Sequence, residues 1–209
     1  MRNKITKSKK ILAYLVLTFL SVLPHIEVMA GMSQDTIGSN ENILIIIDSI
    51  LAIIVISVLF ILYKKLNKKH NNQKIVKSAL ITMIMLIISI VLNIMFSSLP
   101  SPSNQVYIDK TLVVAPILTN LQTRVFSPII EELLTRGIFM NLFFTKEETK
   151  SIFLRIFFSG LFFGLSHGLV PSVSMIFYCG MGWILSYTYY SCNNKIVYPI
   201  LIHMIINNL

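Results

Sequence analysis

The sequence predicts an all-α fold, a polytopic membrane bundle of about seven transmembrane helices. Of its 209 residues 55% are hydrophobic and only 13% charged, where a soluble domain carries roughly 25%. The mean hydropathy is +0.74. The apolar residues also come in blocks, several near the roughly 20 residues that cross a bilayer as a helix. No internal repeat and no soluble domain interrupts them.

The blocks, in order, are Ile11 to Ile26, Ile43 to Tyr63, Ser78 to Leu99, Val125 to Phe144, Ile152 to Leu169, Val173 to Tyr190 and the short Ile196 to Leu209. Between them, "SQDTIGSNEN" and "KKLNKKHNNQK" read as loops, and the two prolines of "LPSPSNQ" break the chain after the third span. "TLVVAPILTN", around Pro116, reads as an interfacial or re-entrant piece. His25, His70 and Asp48 read as loop or helix-end residues. Organisation divides at residue 124. Residues 1–124 hold the first three spans and their loops, and residues 125–209 hold the candidate catalytic core, all within one integral membrane domain.

The net charge of +9 does not imply nucleic acid, because the basic residues flank apolar blocks. Arg2, Lys4, Lys7, Lys9 and Lys10 precede the first span, and the loop after it has Glu27, Asp35 and Glu41 but no basic residue. Lys64, Lys65, Lys68, Lys69, Lys74 and Lys77 fill the next loop. The proline-rich loop has only Lys110 and Arg124, and the turn beyond the fourth span has Lys146, Lys150 and, just inside the next helix, Arg155. That alternation follows the positive-inside bias and puts the N-terminus in the cytoplasm. The start also resembles a secretory signal with a cleavage site after Ala30 in "VMAG". Cleaved or retained as the first span, it leaves Gly31 outside. Cys179 and Cys192 lie in apolar surroundings without metal spacing, so no disulfide framework or zinc ribbon is indicated.

Against this background the ionisable residues at membrane depth stand out, since each is expensive to bury and functional by default. They are Glu131, Glu132 and Arg136 in the fourth span, His167 at the end of the fifth, and His203 with Asn207 in the seventh. Glu132 and Arg136 are four residues apart and can neutralise each other on one helix face. Glu131 is rotated off that face and is the carboxylate left for chemistry. His203 and Asn207 share one stripe of the last helix, and Phe163 lies one turn before His167. On the proposed topology all these groups fall in the same half of the bilayer, as a single site requires.

Taken separately, each has a plainer reading. Glu132 with Arg136 can be a structural pair, His167 can reach the interface, and His203 with Asn207 can be interhelical hydrogen-bonding groups. Gly160, Gly164 and Gly168, at four-residue spacing, suit close helix packing. Tyr178, Tyr187, Tyr189, Tyr190 and Trp183 suit packing or the membrane interface. Together the polar groups suit hydrolysis. A partly desolvated carboxylate takes a proton from water, a nearby imidazole shares it, and a second imidazole with an amide donates to the oxyanion. No Ser or Cys is well placed as a nucleophile except Ser166, beside His167.

"EELLTR" (Glu131 to Arg136), "FGLSH" (Phe163 to His167) and "HMIIN" (His203 to Asn207) resemble, in order and spacing, the motifs of the CAAX-protease and bacteriocin-processing (CPBP, Abi) family of intramembrane endopeptidases. The resemblance covers Val125 to Leu209. It implies that Glu131 activates water with His167 assisting, that His203 and Asn207 stabilise the oxyanion, and that Glu132 and Arg136 support the glutamate helix beside Phe163. It also implies a mechanism without a metal cofactor; zinc held by Glu131, His167 and His203 is the alternative.

The expectation is a multi-pass enzyme of a bacterial cell membrane whose partners are the lipid bilayer and a membrane-associated peptide substrate, with no nucleic acid. The peptide would be one of bacteriocin or signal-peptide maturation, or the activity would serve self-immunity. A non-catalytic immunity or scaffold protein is the rival reading. A proton-coupled carrier is a third, weakened by the lack of matching broken spans in two halves.

Overall fold

The computed structural model describes residues 6–67, 75–98, 103–146, 148–168 and 172–209, and every regular element among them is helical. Residues 68–74 of the second basic loop, with His70, lie outside the described residues. So do Arg2, Lys4, Leu169, and Leu99 to Pro102 of the proline-rich break.

α1 (Lys7–Leu20) has 14 residues and ends before Pro24, so the first apolar block is not one helix to Ile26. Its Tyr14 is buried against the rings of Phe139, Phe143 and Phe162, and Lys10 Nζ donates to the Leu142 carbonyl at 2.8 Å. A short α2 (Ile26–Met29) follows. "SQDTIGSNEN" is helical rather than a loop. Ser33 Oγ accepts from the Thr36 N–H and caps α3 (Gln34–Ser39), and α4 (Glu41–Leu66) begins two residues beyond it.

α4 buries a narrow stripe of Leu44, Asp48, Ala52, Val55, Leu59 and Tyr63, spaced three or four apart. Much of the rest of its surface, including Ile46, Ile53 and Ile61, is exposed and apolar. α5 (Ile75–Phe96) is the more extreme case. Its fully buried residues are Ser78 and Ser89, while Leu80, Met83, Ile87, Val91 and Ile94 face outward. A helix with serines inward and isoleucines outward is built for lipid, where apolar contact outside costs nothing and polar groups turn to protein.

α6 (Ser103–Val114) leads to Ala115, and at Pro116 a helix begins that runs through residues 116–143, here α7. "TLVVAPILTN" is therefore no separate segment. Its second half forms the first turns of α7, well ahead of the expected start at Val125. Pro116 takes the first turn, where its missing N–H is no loss, and Glu41 Oε1 accepts from the N–H groups of Ile117 and Leu118 at 2.7 and 3.1 Å. Pro128 would clash in a regular helix interior, and the preceding residues, Gln122–Phe126, widen to i→i+5 pairing. A second widened stretch, Leu133–Met140, carries Arg136.

α8 (Thr149–His167) and α9 (Val173–Ser191) form the tightest pair. A Cβ on Gly164 would meet Cys179 Sγ and the Cys179 backbone nitrogen, one on Gly160 would meet Trp183, and one on Gly182 would come within 2.8 Å of the Gly160 backbone. The packing expectation for the glycine face thus holds at Gly160 and Gly164. Gly168 lies beyond the end of α8, and among the described residues nothing comes within 4 Å of a Cβ there. Gly164→Leu is expected to destabilise by about 1–3 kcal/mol through overpacking, read as a lowered thermal midpoint, with Gly168→Ala neutral beside it.

α10 (Val197–Ile206) returns after a turn in which Asn193 and Asn194 adopt left-handed φ of 61° and 55°, a region Asn tolerates. Tyr63 Oη donates to the Asn194 carbonyl at 2.8 Å and ties this turn to α4.

Three helices, Glu41–Leu66, Ile75–Phe96 and Thr149–His167, are long and apolar enough to cross a membrane. By that measure the expected seven is not reached among the described residues. α1 is short, α10 has ten residues, and α7 is loaded with polar groups. Arg155 lies inside α8, as expected, and is buried with its guanidinium 4.5 Å from the centre of the Tyr190 ring.

Candidate active site

The centre of the bundle holds an ion pair that explains why α7 accepts two glutamates and an arginine. Arg136 and Glu132 are both fully buried, and Arg136 Nη1 donates to Glu132 Oε1 at 2.8 Å. A buried guanidinium needs its remaining donors satisfied, and three further bonds serve them. Nη1 also reaches Thr135 Oγ1 at 2.8 Å, Nη2 reaches the Gly182 carbonyl at 2.9 Å, and Nε reaches Ser186 Oγ at 3.3 Å. The Phe163 ring lies 4.6 Å from its carbon, an added cation–π contact. Arg136 thereby joins α7, α8 and α9.

Glu132 has a second partner. His203 Nδ1 lies 2.9 Å from the same Oε1, so the imidazole donates its Nδ1–H to the carboxylate and turns Nε2 toward Glu131. His167 arrives at the same state by a different route: its Nδ1 lies 2.8 Å from the Phe163 carbonyl, which only accepts. Both rings in their neutral form therefore present an Nε2 lone pair. These nitrogens stand 3.9 Å (His167) and 4.0 Å (His203) from Glu131 Oε2. That oxygen is buried and accepts no hydrogen bond from protein. The spacing is too long for a direct hydrogen bond and is one that a bridging water closes.

The imidazoles are held by rings. Phe163 lies 4.5 Å from His167 and 5.5 Å from His203, centre to centre, and Tyr178 stacks on His167 at 4.2 Å and 20°. Asn207 donates from Nδ2 to the Thr123 carbonyl at 2.8 Å, using one of its two amide hydrogens and fastening α10 to α7. Ser166 Oγ donates to the Phe163 carbonyl at 2.8 Å.

Glu131, His167, His203 and Asn207 all line one cavity of about 1090 Å³, which Phe163 and Tyr178 also line. The cavity continues past this cluster to His25, Glu27 and Gln122, and α6 forms part of its wall through Gln105, Tyr107 and Thr111. Among the described residues no group of three His, Cys, Asp or Glu side chains is gathered so as to hold a metal ion.

One reading is corrected here. Asp48 is not a helix-end residue but fully buried inside α4, where Gln122 Nε2 donates to its Oδ2 at 2.6 Å. His25 does stand at a helix end, immediately before α2, and it also lines the cavity with Nε2 3.3 Å from Ser127 Oγ. Asp48 had a signal, an acid within an apolar run, which is the same criterion that singles out Glu131. His25 and Tyr178 had none that is local in sequence.

An all-helical membrane protein with a carboxylate set between two imidazoles inside the bundle is the class these observations define. The family model described as Type II CAAX prenyl endopeptidase Rce1-like matches residues 113–209, and the family resemblance carried by the three motifs holds over that region. No curated protein and no solved structure matches the chain.

Proposed function

We propose that the protein is an intramembrane endopeptidase that hydrolyses a membrane-associated peptide through water activated by Glu131. The observation that carries this reading is the buried, unpartnered Glu131 Oε2 facing the Nε2 atoms of His167 and His203 within one cavity. The family match supports peptide hydrolysis as the reaction class.

In this mechanism water bound between Oε2 and the two nitrogens gives a proton to Glu131 as its oxygen attacks the scissile carbonyl. Negative charge then grows on the carbonyl oxygen. His203 enters the reaction with both ring nitrogens protonated, its charge offset by Glu132 at Nδ1–H, so that Nε2–H donates to that oxygen, while the second amide hydrogen of Asn207 is available to the same oxygen. Glu131 returns its proton to the leaving nitrogen as the C–N bond breaks. Ser166, with its hydrogen directed to the Phe163 carbonyl, takes no part. The chemistry needs no metal. Bacteriocin or signal-peptide maturation, or self-immunity, in a bacterial cell membrane with a cytoplasmic N-terminus remains the setting we infer from the motifs and the lysine distribution.

The test is cleavage of a lipidated fluorogenic peptide by purified protein in nanodiscs. Cleavage that persists after dialysis against a chelator is the expected result. Activity lost to chelator and restored by zinc would replace this mechanism with one using Glu131, His167 and His203 as ligands.

A further inference from the structure

The active cluster is one end of a longer polar system. At the other end the buried carboxyls of Glu27 and Asp48 are joined by a single amide group. Gln122 Nε2 donates to both, at 3.1 Å to Glu27 Oε1 and 2.6 Å to Asp48 Oδ2. Glu27 Oε2 and Asp48 Oδ1 are buried without a hydrogen-bond partner. The cation Arg136 neutralises Glu132 in the active cluster; here the group nearest to playing that part is His25, whose Nδ1 stands 4.0 Å from Glu27 Oε1. The opposite nitrogen of the same ring, Nε2, stands 3.3 Å from Ser127 Oγ, one helical turn before Glu131. His25, Glu27, Ser127 and Glu131 all line the one cavity. The other groups facing this system are Tyr107 on α6, close enough to Glu27 to feel its charge, and Arg124 on the cavity wall.

We propose that His25 relays protons between Glu131 and the Glu27–Asp48 pair, which serves as the proton store of the site. The inference rests on the hydrolytic reading above. Two adjacent buried carboxyls hold one proton between them, because both cannot ionise in a low-dielectric interior, and so have room for one more. Hydrolysis of a peptide bond leaves two hydrogens from water. The first passes from water to Glu131 and on to the leaving nitrogen. The second sits at first on the new carboxyl group, which loses it to Glu131; from there it passes through the Ser127 hydroxyl to His25 Nε2, while the proton on Nδ1 moves to the carboxylate of the pair. The store empties by the reverse path when product leaves and the cavity rewets, and its proton neutralises the hydroxide left when the amine takes its last proton from water. An imidazole with one nitrogen toward the Glu27 carboxyl and the other toward the Ser127 hydroxyl is the group suited to this exchange. His25 is a positioning and relay residue, since it acts on the reaction only through Glu131.

Two measurements on full-length protein in nanodiscs test the proposal. In the resting protein, infrared spectroscopy at neutral pH is expected to show a protonated carboxyl band that disappears in Asp48→Asn and survives in Glu131→Gln. Absence of that band in wild type overturns the store whatever the protein's activity. With the lipidated peptide, His25→Ala is expected to lower kcat about ten- to a hundredfold at unchanged KM, to move the pH profile, and to recover on addition of free imidazole, for which the cavity has room. A His25→Ala variant with unchanged kcat, or one that loses activity without rescue while remaining folded, overturns the relay. If wild type cleaves no peptide while the carboxyl band behaves as expected, the hydrolytic reading and the relay built on it fall, and the shared proton stands.

Discussion

Glu131→Gln is expected to lower peptide hydrolysis by about 10²- to 10⁴-fold, the range of a lost general base, in protein that folds and accumulates normally. The contrast with its neighbour makes the result informative. Glu131 is 32% exposed at the side chain, lies at a cavity wall, and its Oε2 serves no protein donor. Removing its charge therefore strands nothing. Gln keeps the shape and cannot accept a proton at neutral pH, so the loss falls on kcat rather than on stability. A variant with near-normal kcat would remove the water-activating role.

Arg136→Ala carries the largest expected effect on stability, about 3–5 kcal/mol, because it leaves Glu132 as an uncompensated buried charge. Arg136 is fully buried and its donors meet Glu132, Thr135, Ser186 and the Gly182 carbonyl, so its loss loosens α7 from α9 as well. Arg136→Lys is expected to rescue little, since a lysine is a point charge that cannot address two helices with a planar fork. The check is folded yield and thermal midpoint in detergent, with Glu131→Gln as the stable comparison. A stable Arg136→Ala protein would mean that Glu132 is held by other groups.

How much of this was legible in the sequence depends on the range of each contact. The Glu132–Arg136 pair is local and follows from four-residue spacing alone, as does Phe163 beside His167. The helical class follows from composition. The bond from His203 to Glu132 spans 71 residues, and no periodicity within one helix announces which of two adjacent glutamates an imidazole will choose. The same applies to Tyr178 on His167, since tyrosines near a membrane end are common for other reasons. The start of α7 was missed because its cap, Glu41, lies 76 residues away from Ile117. Asp48 was missed although its signal was present. An acid within an isoleucine run obeys the same cost argument as Glu131, but its proximity to the polar loop made a helix end the simpler reading. The expected seven spans follow apolar composition, which runs past the helix break at Pro24 and into a last helix of ten residues, whereas length and hydropathy together pick out three helices among the described residues.

The central claim, a water molecule set on the substrate by Glu131 between two imidazoles, is tested most directly by single-turnover cleavage followed by intact-protein mass spectrometry. Wild type is expected to release product without the protein ever gaining peptide mass, and Glu131→Gln to release almost none. A peptide adduct on the protein, at Ser166 or elsewhere, or wild-type product formation by Glu131→Gln, would contradict the account.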